Sequence, residues 1–593
     1  MKKSSIIYVA TFLVATFLIS SCNPLKKMKK NAGTITYTVT PNPLEMHGDS
    51  VVINISGKFP VKYFKKPAIL AITPVLKYSS GETPIDTLKV QGEKVKANFN
   101  VINFTNGGDF TYNRKVAYTE AMRMSDLEVR IKGIFKKKEL AFDPVKVAEG
   151  IIATSGLLQL DPKLITATDK FVRITSESQD GEILYLINQA DLRNTELKKE
   201  EVKKLNDYIK TLEGNIKKEL KGISLSSYAS PDGPLELNTN LSEKRAKTSQ
   251  NYVSDELKKQ TKDKIKAAKG DKAKIKLIKE EEAKLLGLIQ SVSTPEDWDG
   301  FQLLMKSSDI PDKDLVLRVL SMYSDPIVRE KEIKNMSKVF KSLADNVLPK
   351  LRRSKIKVNV DNVGYSDEEL MALANTKPDS LKVEELFRAA VITKDINEQL
   401  KIYQSFTRIY PNEWRGFNNL GCTYFKLNKI DEAQKAFDKA KQLDNSNTMV
   451  FNNLGAVALT GKDFKKAEEL FTSANGAGSE VNYNLGICSI KKADYTSAVK
   501  YFGSNCSFNA ALAKLLSGDI DGSIKTIDCS TNKDDGMMFY LKAIAGARQQ
   551  NSELVFNNLR AAISKDASFN DKAKTDMEFK KYFSDDTFKT IVK

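Results

Sequence analysis

The stretch Phe417–Gly421 reads FNNLG, Phe451–Gly455 repeats it letter for letter 34 residues on, and Tyr483–Gly486 reads YNLG. The surroundings repeat as well. Leu420-Gly421, Leu454-Gly455 and Leu485-Gly486 stand in a first helical pattern, and a bulky residue (Ile430, Phe464, Tyr495) leads a second. Ala433, Ala467 and Ala498 follow, then Phe437, Phe471 and Phe502. A period of this length means stacked units, none of which can bury its apolar face alone. Small residues let paired helices approach closely, and the phenylalanines fill the gap to the next pair. Leu386, Ile396, Tyr403 and Pro411 fit one earlier unit, giving four clear ones. From Phe508 to Asn570 the signal fades into one or two shortened units and a capping helix. The pattern predicts an α-solenoid with a C-terminal cap over residues 380–593.

The chain has 593 residues, room for roughly three to five domains. Its composition, 41% apolar and 28% charged, is that of a globular protein. A net charge of +18 suits anionic partners, or a solvated lysine surface. The N-terminus narrows the compartment. MKKSSIIYVATFLVATFLISSC has two lysines, an apolar run from Ile6 to Ile19 too short to span a bilayer comfortably, and small residues before Cys22. The Ile-Ser-Ser-Cys end resembles a bacterial lipobox. That resemblance implies a signal peptide over 1–21, lipidation of Cys22 and a basic tether over 22–33. It also implies an outer-membrane, lipid-anchored protein facing the periplasm, with nucleic acid in a different compartment. The lysines of NPLKKMKK suit a tether lying against anionic headgroups. Of the later cysteines, Cys422, Cys488, Cys506 and Cys529, none is in CxxC spacing, which argues against zinc. Buried thiols and a Cys488–Cys506 bridge both remain open.

From residue 34 to 145 short β-rich runs such as SVVINISGKF, AILAITPVLKY and LEVRIKGIF alternate between turn signals. They predict an N-terminal antiparallel β-sandwich of immunoglobulin-like type. The chain's single histidine, His47, lies in the turn MHGDS, and no Ser/His/Asp set can be built on it.

Residues 161–365 read as α/β: GEILYLI, a lysine-rich helix, GISLSSY, then YASPDGPLELNTNLSEKRA and a helix from about Ser242. A polar, mixed-charge arm opens a helical insertion at about 255–348, and LRRSKIKV closes the region. The run Asn238-x-x-Leu241-Ser242-x-x-Arg245-Ala246 after a strand and turn resembles the OmpA-like, peptidoglycan-associating domain, whose closing Arg-Arg strand LRRSKIKV matches. The resemblance implies a multidomain α+β chain with a central OmpA-like domain. It also implies cell-wall binding through Ser230, Asp232, Asn238, Ser242 and Arg245. Ser242 would cap the helix, and Arg245 would grip a stem-peptide carboxylate one turn in. Ser230 stands where the family has an aspartate that holds the ligand's ammonium, with Asp232 two residues on as a substitute.

The solenoid repeats resemble tetratricopeptide repeats. Asn419, Asn453 and Asn484 occupy one place in successive units and would form a ladder on the concave face. The resemblance implies that such a ladder holds the backbone of an extended partner peptide, for which a planar amide is suited. No phosphate loop, nucleophile elbow or zinc motif occurs, so the sequence predicts no enzyme, no cofactor, no metal and no catalytic residue. Two readings stand. One is a scaffold joining lipid, peptidoglycan and a membrane or periplasmic protein. The other is an accessory subunit of an export, assembly or gliding machine, in which the OmpA-like module only docks.

Overall fold

A computed structural model describes residues 24–212 and 215–593. The expected signal peptide over 1–21 and the expected lipidation of Cys22 fall outside the described residues. The chain forms two compact units, one joining the chain up to Ala167 with Tyr403–Lys593, the other Thr168–Ile402.

In the first unit, period-2 alternation builds a sandwich. The strand Ser50–Phe59 buries Val51, Ile53, Ile55 and Phe59 on one face. It pairs antiparallel with Gly108–Ala117, from Ser50 opposite Ala117 to Phe59 opposite Gly108. Among the described residues these strands belong to a five-stranded sheet, and a seven-stranded sheet is centred on Ile69–Tyr78 and Asp126–Phe135. Both sheets feed one core, with Ile53 and Ile55 from the first and Leu70, Ile72, Leu127 and Val129 from the second. The sandwich departs from expectation in two ways. Strands continue past residue 145 to Ile151–Ile152, and that last pair runs parallel to Leu44–Glu45, as Leu88–Gly92 does to Asn100–Ile102. The tether is a third correction. Pro24–Lys30 is helical, and Leu25 and Met28, three apart on one face, are buried in the sandwich core.

The solenoid follows from the glycine–phenylalanine spacing. Among the described residues of this unit five helix pairs stack. They are Trp414–Lys426 with Ile430–Leu443, Thr448–Thr460 with Phe464–Ser473, Ser479–Lys491 with Tyr495–Phe502, Phe508–Leu516 with Ile520–Asp528, and Gly536–Arg548 with Ser552–Lys565. A Cβ on Gly421, Gly455 or Gly486 would stand 2.5, 2.6 or 2.6 Å from the ring of Phe437, Phe471 or Phe502. Each glycine is the seat of the partner helix's ring. Cys506, just before the fourth pair, is bonded to Cys529, just after it, while Cys422 and Cys488 are buried thiols, so the bridge is not Cys488–Cys506. The sandwich packs on this solenoid. Gly48, at φ +62°, abuts Lys491 O, where a Cβ would be 2.4 Å away, and His47 Nδ1 meets Tyr495 Oη at 3.3 Å. Thr154 Oγ1 donates to Glu578, which holds Arg548 at 2.6 Å.

The second unit holds a mixed sheet in the order Ile174–Leu184, Arg353–Val363, Lys218–Tyr228, Ile289–Thr294. The last two strands are parallel and the other pairings antiparallel. Glu200–Thr211 and the long helix Leu235–Ala267 cover one face, burying Val202, Leu205, Val253 and Leu257 against Ile223, Leu225, Ile356 and Val358. The long helix starts at Leu235, seven residues before the expected Ser242. The strand Ile289–Thr294 falls inside the segment expected to be helical. It is an edge strand whose Val292 is exposed, so it carries no apolar period to read. The helices from Trp298 to Asn346 form a separate small core around Phe301, Met305, Val316 and Leu343.

Candidate functional site

The asparagine ladder is the most developed site in the chain, and it is occupied by the chain itself. Between the sandwich and the second unit the segment Leu158–Ala167 (LQLDPKLITA) runs extended through the solenoid groove. Each ladder amide grips both main-chain groups of one residue. Asn419 Oδ1 accepts from Ala167 N at 2.8 Å and its Nδ2 donates to Ala167 O at 3.0 Å. Asn453 holds Ile165 at 2.8 and 2.7 Å, and Asn484 holds Lys163 at 2.7 and 2.9 Å. Asn509 extends the ladder, holding Gln159 at 3.0 and 2.8 Å.

From Ala167 to Lys163 the ladder steps two residues per helix pair, about 6.6 Å, as an extended chain does, and the last step, from Lys163 to Gln159, spans four residues across Asp161 and Pro162. Pro162, which has no N–H, falls at a position where none is needed. Asn418 and Asn452 add second donors to Ile165 O and Lys163 O at 3.1 and 2.9 Å, and brace their neighbours Asn419 and Asn453 at 3.1 Å each. All six asparagines are at most 1% exposed. Side chains of the strap contribute as well: Leu160 and Ile165 pack into one solenoid cluster and Leu164 into the next. Asp161 accepts from Tyr483 Oη at 2.8 Å and from Asn509 Nδ2 at 2.9 Å. Cys422 lies beneath the strap, its Sγ 3.6 Å from Ile165 O, and burial pushes its thiol up to about 12.

The sequence singled out Asn419, Asn453 and Asn484, and the structure brings all three together on one segment. Asn418, Asn452 and Asn509 were missed, although the doublet in FNNLG and the run FNAAL at Phe508–Leu512 mark them. The strap carried no signal of its own.

The second candidate set lies at the end of the Lys218–Tyr228 strand. Ser230 Oγ donates to Asp232 Oδ1, and Arg352 joins both, with Nε to Ser230 Oγ at 3.1 Å and Nη2 to Asp232 Oδ2 at 3.0 Å. Asn238 Nδ2 donates to Gly233 O at 2.9 Å and shapes the turn. Ser242 does not cap the helix. It sits two turns inside, and its hydroxyl back-bonds to Thr239 O at 2.9 Å.

Arg245, expected to project toward a ligand, is 1% exposed. Its fork ends on three carbonyls, Gln189 O at 3.0 Å, Tyr228 O at 2.8 Å and Leu186 O at 3.2 Å, and it stacks over Tyr185. Burial pulls its guanidinium down to about 10, still charged at neutral pH. The Asp232 and Arg352 side chains are 15% and 10% exposed. The neighbouring Arg353 is tied to Asp297 at 2.7 Å.

No curated protein matches this chain. The solved structure of YrrB, a tetratricopeptide repeat protein with an unusual peptide-binding site, is 21% identical, overlapping 29% of this chain and 97% of its own at a TM-score of 0.25. A tetratricopeptide repeat protein from Parabacteroides merdae is 14% identical, overlapping 42% of this chain and 98% of its own at 0.28. Pseudomonas aeruginosa PilF is 14% identical, overlapping 38% and 95% at 0.26. Residues 414–447 match the tetratricopeptide repeat family model, and they are the Trp414–Leu443 helix pair whose Asn419 holds the strap.

Proposed function

We propose that the protein is a non-enzymatic scaffold of the bacterial outer membrane. It is lipid-anchored at Cys22, faces the periplasm, associates with peptidoglycan through an OmpA-like central domain and takes protein partners on its tetratricopeptide repeats. The observation that carries the scaffold reading is the ladder: the paired amides of Asn419, Asn453 and Asn484 recognise polypeptide main chain, that of the chain's own strap, which a partner taken in the groove would displace. The Cys506–Cys529 bridge supports export, because such bonds persist in oxidising compartments. The strand, turn and helix that carry Asn238, Ser242 and Arg245, with Arg353–Val363 closing the sheet, support the OmpA-like reading. In that site Asp232 would accept a stem-peptide ammonium and Arg352 would face its carboxylate, while Arg245 fixes the turn through Tyr228 O. Co-sedimentation with purified peptidoglycan tests this. Wild type pellets and Asp232→Ala stays in solution, whereas a wild type that never pellets removes the wall from the proposal. Cys22→Ala should leave the membrane fraction, and normal fractionation of that variant would remove the anchor.

A second reading, a subunit of an export, assembly or gliding machine in which the central domain only docks, is favoured by the fork of Arg245. Its donors already meet three carbonyls. A gentle-detergent pull-down that recovers stoichiometric membrane-embedded partners, with no wall binding, would select it.

A further inference from the structure

The end of the sandwich that bears the Pro24–Lys30 helix is basic in three dimensions, not only along the sequence. Burial of Leu25 and Met28 pins this helix, leaving Lys26, Lys27 and Lys30 exposed. Tyr63 Oη donates to Met28 O at 3.0 Å and ties the loop Pro60–Ala68 to the same end. That loop carries Lys62, Lys65 and Lys66, and Val61 beside them is 60% exposed. Lys65 and Lys66 place their ammoniums 4.8 and 5.8 Å from the Phe104 ring centre. Lys94 N donates to Lys66 O at 2.9 Å, adding another lysine. Partial burial and then the charge of Lys27 pull the Lys65 ammonium down, the expected response where like charges converge. The carboxylates paired here are Glu93, 3.7 Å from Lys66, and Asp143, 2.9 Å from Lys29.

We propose that this face docks flat on an anionic lipid bilayer. The identity of the surface rests on the reading of Cys22 as lipidated. Only Asn23 separates Cys22 from Pro24, a reach of about 7 Å over two residue steps, so acyl chains on Cys22 would bring headgroups against a helix that cannot swing away. A flexible basic tether would screen lipid charge with its own lysines alone. A pinned helix recruits the Pro60–Ala68 loop as well and fixes how the sandwich stands on the membrane.

The test uses the chain from residue 22 onward carrying Cys22→Ser, so that neither an acyl chain nor the apolar run Ile6–Ile19 contributes, in sedimentation with phosphatidylcholine vesicles and with vesicles also containing phosphatidylglycerol. Binding is expected to the anionic vesicles alone and to fall as salt rises. The pair Lys65→Glu/Lys66→Glu and, separately, Lys26→Glu/Lys27→Glu should each weaken it about tenfold or more while melting as wild type does. Equal binding to both vesicle types, no binding to either, or wild-type binding by both double variants would overturn the proposal. The mass of the N-terminal peptide from the native membrane reports acylation separately, so failure of the anchor is distinguished from failure of the patch.

Discussion

Replacing Asn484 by alanine removes one rung of the ladder at a position where the consequence can be counted. The side chain accepts from Lys163 N at 2.7 Å and donates to Lys163 O at 2.9 Å. Lys163 O keeps Asn452 Nδ2 at 2.9 Å, but Lys163 N loses its acceptor inside the groove. An orphaned donor costs about 1–3 kcal/mol, and the lost carbonyl bond about 1 more, so strap opening becomes easier by about 2–4 kcal/mol. At ~1.4 kcal/mol per tenfold, the open fraction rises about 30- to 1,000-fold. Hydrogen exchange with mass spectrometry on the strap peptide reads this directly. The amides of Gln159, Lys163, Ile165 and Ala167 donate to asparagine side chains rather than to a backbone ladder. Wild type should therefore protect an extended segment that outwardly has no regular structure, and Asn484→Ala should speed its exchange while the helices keep theirs. Cys422, capped by Ile165 O, should alkylate faster in the variant as an independent readout. Strap amides that exchange at the free-peptide rate in wild type, or at an unchanged rate in the variant, would refute the clamp.

Arg245→Ala removes the donor from Tyr228 O and Gln189 O, while Leu186 O keeps Gln189 N at 3.2 Å, so at about 1 kcal/mol or more for each orphaned carbonyl chemical denaturation should show a loss of at least ~2 kcal/mol; an unchanged midpoint would mean the fork turns outward in solution. Gly455→Ala forces a methyl to 2.6 Å from the Phe471 ring and should cost about 1–3 kcal/mol in thermal melts, whereas Gly461→Ala, with its nearest neighbour at 3.5 Å, should be neutral or better. Reducing Cys506–Cys529, 23 residues apart, should destabilise the solenoid by roughly 3 kcal/mol on the chain-entropy view, and identical denaturation curves with and without reductant would contradict the bond.

What could be read from the sequence and what could not divide along a physical line. The solenoid was legible because its determinants are local and periodic: Gly421 needs Phe437, Gly455 needs Phe471, and each pair lies 16 residues apart. The sandwich was legible through alternation, and its closing strand Ile151–Ile152 was not, since two residues carry no period. The strap was invisible for the opposite reason. LQLDPKLITA has neither helical nor strand periodicity, and its order comes from asparagines 252 to 350 residues away. The motif around Arg245 was legible as letters, but the direction of its fork was not. Two of its acceptors, the carbonyls of Leu186 and Gln189, belong to a loop 59 and 56 residues upstream that says nothing about arginine in its own sequence.

The strap also sets the terms on which any partner can use the concave face. Six asparagines at most 1% exposed present their amides to main-chain groups, and emptying the groove returns all of them to water along with Leu164 and Ile165. A tethered occupant competes at an effective concentration in the millimolar range for short linkers, so a free peptide must bind the ladder more tightly than that to displace it. A peptide that matched only the backbone pattern would have no advantage, because the strap already satisfies every rung. An invading segment would have to gain from side chains, better apolar filling than Leu160 and Ile165, or an acid held by Tyr483 and Asn509 as well as Asp161 is. A partner that lacks those features is confined to the outer helix faces, where it meets no ladder at all.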